Sequence, residues 1–566
     1  MKRHGTEYTK PYATEIFGQR RVTHYAYPRE ELMGEDIFPY LVLDGGASQL
    51  MLDRFGSNSG ERMLELTMSG ELFHEFQNGG EYNWERSFAY TEGTGFRKKY
   101  EWQIWPQRLY MTIPVAHAFL RTGEERYARR WLEIVRGWAD AHPYQPFDPE
   151  VHYLQTDMVW RDMQVAWRTM SLLHGLFMLE DATFSREEWE YLYALLATHT
   201  SHLYEEAEDR ISRGLAQNHV LQIGVVLIMA AVMFPELPRA EELLAIGTDT
   251  VKMNMRAIYP DGASDEDSPS YGHFIVRLYL EAYLLLKNNG MEPPAGLRES
   301  IVKQYEWLYN FATPAGRTAR ISDSYGMDAL ADLARAERLL QIDFPRERTS
   351  RYFRESKTAV LRCEDITLYA DAMDYRGGHH HGARPELLLF YGNEPIIVDG
   401  GCCSYDRWEL YWHLRDPRTH SILFTPEFSY PDGGIDMTSE ITEFDPSGII
   451  SFSIRVREGE DGYEWQRRIA IAENAVTITD RVTASREMAW ESRILTARAD
   501  VHQPSESRIE RLTHGVHTEI ESSRPMSTSL IPVMNDENKI DYAIAVISKG
   551  HGACFELETT LKFTKR

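Results

Sequence analysis

The sequence predicts a multidomain α and β protein, all-α in its first part and all-β in its second. Two patterns carry this prediction. From about Pro106 to Thr313 apolar residues recur at three- and four-residue steps, the spacing of one helix face. After Ser356 the pattern changes to short alternating runs that suit half-buried strands. Length agrees, because 566 residues exceed what one hydrophobic core usually supports.

The helical spacing first shows in Leu109, Thr112, Val115, Ala116 and Leu120, then in Trp131, Ile134, Val135 and Trp138. It returns over Trp167 to Met178, Glu187 to Leu203, Val220 to Phe234, Phe274 to Leu286 and Leu297 to Phe311, with Gly or Pro between segments. Helices in such succession are compatible with stacked hairpins in a ring, a choice periodicity cannot make. Asp343 to Ser356 is rich in charge and contains Pro345, which places the junction near residue 350 and predicts domains 1–350 and 351–566. Beyond it, Ile449 to Ile454, Ile469 to Ile471 and Val476 to Thr479 read as strands.

Composition narrows the function. Hydrophobic content of 43% and charged content of 26% are globular values. A net charge of −25 disfavours nucleic acid as a partner, since phosphate contacts require clustered Lys and Arg. The longest apolar run, Gly224 to Phe234, falls short of the roughly 20 residues a bilayer span needs, so no membrane partner is expected. The start, Met1-Lys2-Arg3-His4, is followed by no apolar signal core, and Cys363, Cys402, Cys403 and Cys554 form no disulfide framework. A cytoplasmic location is the expectation, and homo-oligomerisation is left open.

The most unusual local feature is Gly377-Gly378-His379-His380-His381-Gly382, between strand-like Ile366 to Ala370 and the apolar run Leu387 to Phe390. On a strand, His379 and His381 would share one face. Imidazole transfers protons near neutral pH or ligates a metal. Asp399 and His420 follow, and His381, Asp399 and His420 form a donor set suited to zinc; a hydrogen-bonded loop histidine is the plainer alternative. In the helical part, Gln217-Asn218-His219 and Asp267-Ser268-Pro269-Ser270-Tyr271 both open helices, where exposed N–H groups favour an anion. Simple capping by Asn218, Ser270 or Asp267 is the competing explanation.

Taken together these motifs resemble the heparinase II/III-like polysaccharide lyases. The family's Gly-His-x-His, hydrophobic strand and Val-Asp-Pro-Gly-like turn correspond to Gly378 to His381, Leu387 to Phe390 and Val398-Asp399-Gly400-Gly401. Its Asn-His pair and acidic-x-x-Pro-x-Tyr segment are matched by Asn218-His219 and Glu266 to Tyr271. The likeness runs from Trp160-Arg161-Asp162 to His420 and more diffusely through Ile478 to Val482, with Ala383 at a position usually acidic and Gly400 in place of Pro. Residues before about Asn83 match nothing in it.

The resemblance implies an N-terminal (α/α) incomplete toroid followed by a C-terminal antiparallel β-sandwich. It further implies β-elimination from a uronic-acid-containing glycan of glycosaminoglycan or alginate type, with a divalent metal, zinc by its donors, and no organic cofactor. That reaction removes the C5 proton beside a carboxylate and expels the C4 oxygen. By analogy Asn218 faces the carboxylate, His219 is the base, Tyr271 the acid, and His379 assists. A tyrosine of ordinary pKa, about 10, suits an acid better than a base. Arg376, Arg384, Arg415 and Arg418 are candidate anion contacts, and Trp160 a sugar-stacking surface. The acidic surface favours short imported oligosaccharides over long polymers. A uronate C5-epimerase, or a toroid glycoside hydrolase using carboxylates such as Asp162, Asp261 and Glu266, are the alternatives.

Overall fold

The computed structural model describes residues 26–27, 32–34, 59–72, 77–78, 81–82, 100–150, 159–161, 163–345, 347–374, 378–405, 407–430 and 435–566. The chain divides into two compact units, and the division is not a single cut. The first unit takes residues 1–258, 274–301 and 404–406; the second takes 259–273, 302–403 and 407–566. The expected order, a helical region followed by an antiparallel sheet, is what the structure has.

Along the chain come α1 (Ser59–Ser69), the short pair β1 (Gln77–Asn78) and β2 (Glu81–Tyr82), α2 (Tyr100–Arg108), α3 (Thr112–Thr122), α4 (Glu125–Ala141) and α5 (Met163–Met178). Then follow α6 (Arg186–Ser212), α7 (Asn218–Met233), α8 (Ala240–Asn254), α9 (Pro269–Asn288), α10 (Leu297–Asn310) and α11 (Ala329–Leu340). Local chemistry sets several ends. Ser185 and Glu188 form a reciprocal capping box on α6, satisfying two backbone donors that a helix start leaves open. Gly123 closes α3 at φ 68°, a left-handed geometry that costs glycine little. In the first unit α7 is apolar all round and buried from Val220 to Met233, as a core helix must be. It meets α8 where Gly224 and Gly247 face each other; a Cβ on Gly247 would lie 2.8 Å from the Gly224 carbonyl oxygen.

The second unit carries β3 (Arg351–Phe353), β4 (Thr358–Cys363), β5 (Ile366–Asp371), β6 (Glu386–Tyr391), β7 (Glu394–Ile397), α12 (Trp408–Leu414) and β8 (Leu423–Phe424). Long strands follow: β9 (Ile435–Asp445), β10 (Ile449–Glu458), β11 (Asp461–Ala472), β12 (Ala475–Thr496), β13 (Asp500–Ser505), β14 (Arg508–Leu512), β15 (Val516–Ser522), β16 (Met526–Met534) and β17 (Ile540–Lys565). The segment expected to hold the junction, 343–356, contains β3.

Pairing is antiparallel throughout, in the order β13-β14-β15-β17-β12-β7-β6-β5-β4-β3, with β11, β10 and β9 branching from β12 and β16 lying on β17. Strand β12 pairs β11 along its first half, from Ala475↔Ala472 to Ala484↔Tyr463, and β8 and β7 along its second. Its ladder with β17 breaks register between Thr483 and Met488, where a bulge bends a strand too long to stay straight. One apolar core joins Leu368, Leu389 and Ile397 of the early strands to Phe452, Trp465, Ile478, Phe555 and Leu561 of the late ones. The period-2 burial of β11 and the fully buried β6 show why: the first strand has one dry face, the second has two.

Candidate functional site

The connection from β5 to β6 holds the histidine motif. Gly378 turns at φ 64°, which a glycine adopts without strain, and the three imidazoles follow in loop rather than strand conformation. The alternation argument for His379 and His381 therefore fails in its premise. The two are nonetheless brought together, by a residue the motif does not contain. Asp323 is sealed from solvent, and its Oδ2 accepts from His379 Nδ1 at 3.0 Å and Arg415 Nη1 at 2.8 Å, while Oδ1 accepts from His381 Nε2 at 2.9 Å. Burial alone would raise its pKa, but the Arg415 charge and two imidazole hydrogen bonds outweigh that and hold it well below the ordinary carboxylate range.

His379 is half-buried. Its ring stacks on Tyr271, centroids 3.7 Å apart at 29°, and its Nε2 lies 3.7 Å from the Glu266 carboxylate. Tyr271 is the third residue of α9, whose start is set by Pro269 and by Ser268 Oγ, which accepts from Tyr271 N at 3.4 Å. Capping there thus falls to Ser268, not to the expected Ser270 or Asp267. Middle histidine His380 is a strut: its Nε2 donates to the Asp265 carbonyl at 3.1 Å and its Nδ1 accepts from Arg384 at 3.2 Å. Burial and the Arg384 charge push its pKa down to about 4, so it stays neutral.

Beneath this loop His381, Glu386, Asp399 and His420 are all buried, and one ligand atom from each lies within 4.8 Å of the others. His420 Nδ1 meets Asp399 Oδ2 at 2.6 Å. Burial pulls the His420 pKa down, yet the Asp399 charge wins and leaves it above the ordinary value. Burial sets His381 at about 4. Two atoms have no hydrogen-bond partner there, His381 Nδ1 and His420 Nε2. Buried imidazole nitrogens are costly to leave unmatched, and with adjacent carboxylates they fit a divalent cation that accepts nitrogen and oxygen donors. Glu386 was absent from the expected ligand set. Its oxygens are held by Ser322 N at 2.6 Å, Ser322 Oγ at 2.9 Å and Arg384 Nη1 at 2.5 Å, so His381, Asp399 and His420 are the more available donors.

Two of the expected anion contacts are corrected by burial. Arg384 is enclosed and spends its guanidinium on Asp267, Glu386, His380 and the Met373 carbonyl. Arg415 is buried too, bonding Asp323 and the carbonyls of Gly378 and His380, so it braces the histidine loop instead of meeting solvent. Arg418 is exposed and pairs with Asp416. Arg376 lies outside the described residues, as does Asp162.

In the first unit Trp160 is buried among Tyr144, His199 and His202, with the Arg168 guanidinium 4.9 Å from its ring centroid; it is a core residue, not a stacking surface. Asn218 and His219 are the half-buried first two residues of α7, and Gln217 occupies the cap position, so Asn218 is not the cap. The hydrolase candidate Asp261 accepts from Ser356 N at 2.8 Å and Ser356 Oγ at 3.1 Å.

A helical region, an antiparallel sheet and a histidine loop over a buried His-Asp-Glu cluster define the class, and the chain belongs to the heparinase II/III family. Residues 57–352 match the heparinase II/III N-terminus and 345–553 the heparinase II/III-like C-terminal domain. A heparin-sulfate lyase of Pedobacter heparinus is 24% identical over 299 residues, covering 50% of this chain and 42% of that protein. The chain thus spans less than half the length of the curated relatives it matches, 42% and 32% for the first two. Among solved structures, heparinase III shares the fold with TM-score 0.74 and 14% identity, covering 98% of this chain and 88% of that one. The heparan sulfate lyase HepC of Pedobacter heparinus does so with TM-score 0.63 and 16% identity, covering 95% and 87%.

Proposed function

We propose that this protein is a glycosaminoglycan lyase that cleaves an acidic glycan by β-elimination. The observation that carries the reading is the Tyr271–His379 stack at 3.7 Å, with His379 Nδ1 tied to Asp323 and its Nε2 turned away from that carboxylate. A tyrosine hydroxyl held against an imidazole that can resupply its proton is what protonation of the departing C4 oxygen requires. The heparin-sulfate lyase relatives support the same class.

In this reading Tyr271 Oη gives its proton to the leaving oxygen as the C4–O bond breaks, and His379 is the neighbour through which that proton is restored. By their motif, Asn218 donates to the uronate carboxylate as negative charge spreads onto it, and His219 takes the C5 proton. We assign the His381, Asp399 and His420 cluster to zinc, on its two imidazoles and carboxylate. His381, Asp399 and His420 would hold the ion, which would supply positive charge against the buried carboxylates.

The test is ultraviolet absorbance during incubation with heparan, chondroitin, hyaluronan and alginate oligosaccharides. Unsaturated product from one of them, lost in Tyr271→Phe with substrate binding retained, is the expected result. Uncleaved substrate that incorporates solvent deuterium at C5 would instead identify an epimerase, and saturated fragments a hydrolase.

A further inference from the structure

Asp323 joins two imidazoles that the proposed function gives different tasks. A buried carboxylate has few acceptor positions, and among the described residues those of Asp323 are taken by the histidine loop and by the arginine that braces it. With His381 Nε2–H donating to Oδ1, the lone pair of His381 must lie on Nδ1, the unpartnered atom facing the cluster of Glu386, Asp399 and His420. With His379 Nδ1–H donating to Oδ2, the lone pair of His379 must lie on Nε2, on the other edge of the ring. One side chain therefore sets both tautomers. A ligating histidine ordinarily has its second nitrogen held by a carboxylate; what is unusual here is that the same carboxylate also holds the imidazole stacked on Tyr271.

We propose that Asp323 is a positioning residue that couples the two sites, so that a cation at His381, Asp399 and His420 tightens the orientation of His379, and His379 in turn affects cation affinity. The inference rests on the proposed function for the task it gives His379. Two features favour coupling over simple packing. The segment carrying Asp323 is itself tied to the cluster, since Ser322 N and Oγ donate to Glu386, and Asp323 N donates to the His379 carbonyl at 3.1 Å. Arg415 completes the clamp by bonding the carbonyls of Gly378 and His380 on either side of His379. Movement of His381 toward a cation therefore pulls on Asp323 and on the backbone around His379 together. Linkage makes the effect reciprocal in binding free energy.

The experiment uses the full chain and zinc alone, with no glycan, so it does not depend on turnover. Zinc affinity is measured by competition with a chromophoric chelator for wild type, Asp323→Asn and His379→Gln. Histidine-selective nitrogen labelling, with His379→Gln to identify the His379 signal, follows its tautomer as zinc is added. We expect affinity to fall about 10- to 100-fold in Asp323→Asn, the usual cost of losing a partner behind a ligand. Zinc should shift the His379 signal in wild type and leave it unmoved in Asp323→Asn. If Asp323→Asn does not fold, the half-buried His379→Gln still decides the matter, with zinc affinity altered at least about fivefold. Wild-type affinity in a folded Asp323→Asn or in His379→Gln, an unmoved His379 signal, or no zinc binding by wild type would each overturn the coupling. Failure of the lyase reading would look different: zinc coupling intact, and no unsaturated product from any glycan.

Discussion

Replacing Glu281 by Gln should stabilise the protein, and by an amount that grows with pH. Glu281 lies on α9, wholly enclosed, with both carboxylate oxygens lacking a hydrogen-bond partner. His174 Nε2 lies 3.9 Å from its carboxylate, too far for a hydrogen bond. Burial pushes the Glu281 pKa up to about 8, only partly offset by the Arg277 charge, and burial drives His174 down to about 3. Between those values the pair is a neutral acid beside a neutral imidazole, not an ion pair. Because the folded pKa of Glu281 exceeds its unfolded value of 4.5, its favourable contribution is complete below pH 4.5 and is lost as pH rises through 8.

At 1.36 kcal/mol per unit the full loss is about 5 kcal/mol above pH 8 and about 3 kcal/mol at pH 7. Gln has nearly the shape of the protonated acid and no charge to bury. The difference in unfolding free energy between Glu281→Gln and wild type should therefore be small near pH 4.5 and climb to several kcal/mol at pH 8.5, read by urea denaturation across the series. His174 acts in the opposite sense, since its depressed pKa removes stability as pH falls from 6.5 toward 3, but it is common to both proteins and cancels in the difference. A difference that is flat with pH, or Glu281→Gln less stable at pH 8.5, would refute the reasoning.

Two further outcomes follow from packing. Gly247→Ala gains about 1 kcal/mol of helix propensity but drives a Cβ against the Gly224 carbonyl oxygen and Ile228, an overpacking cost of about 1–3 kcal/mol; a lowered melting temperature is expected, and a raised one would show that α7 and α8 can part. Asp480→Asn leaves the buried Arg467 guanidinium, now 2.8 Å and 3.0 Å from the carboxylate, without its counter-charge, and also weakens the Trp465 Nε1 bond of 2.8 Å; thermal denaturation should report a loss of about 3–5 kcal/mol, and near-wild-type stability would mean that the Ser421 carbonyl suffices.

The order of elements, and part of the buried candidate cluster, could be read in the chain's own pattern, because they follow from local chemistry. The expected helix over Leu297 to Phe311 is α10, Leu297–Asn310, and the strand-like Ile366 to Ala370 is β5, Ile366–Asp371; apolar spacing at period 3.6 or 2 survives whatever the segment packs against. Three members of the buried cluster, His381, Asp399 and His420, could be singled out in the sequence as a candidate donor set because imidazole and carboxylate are the side chains that suit a divalent cation. Tertiary structure decided what long-range contact alone can decide. Asp323 is 56 residues from His379 and 92 from Arg415, so no local spacing marks it, and Glu386, just before the apolar run Leu387 to Phe390, joins the cluster only where Ser322 and Arg384 close around it. The arginines show the same limit: a guanidinium reads alike in sequence whether it faces a sulfate or a buried carboxylate, and only the fold, by enclosing Arg384 and Arg415 and leaving Arg418 in water, assigns each its partner.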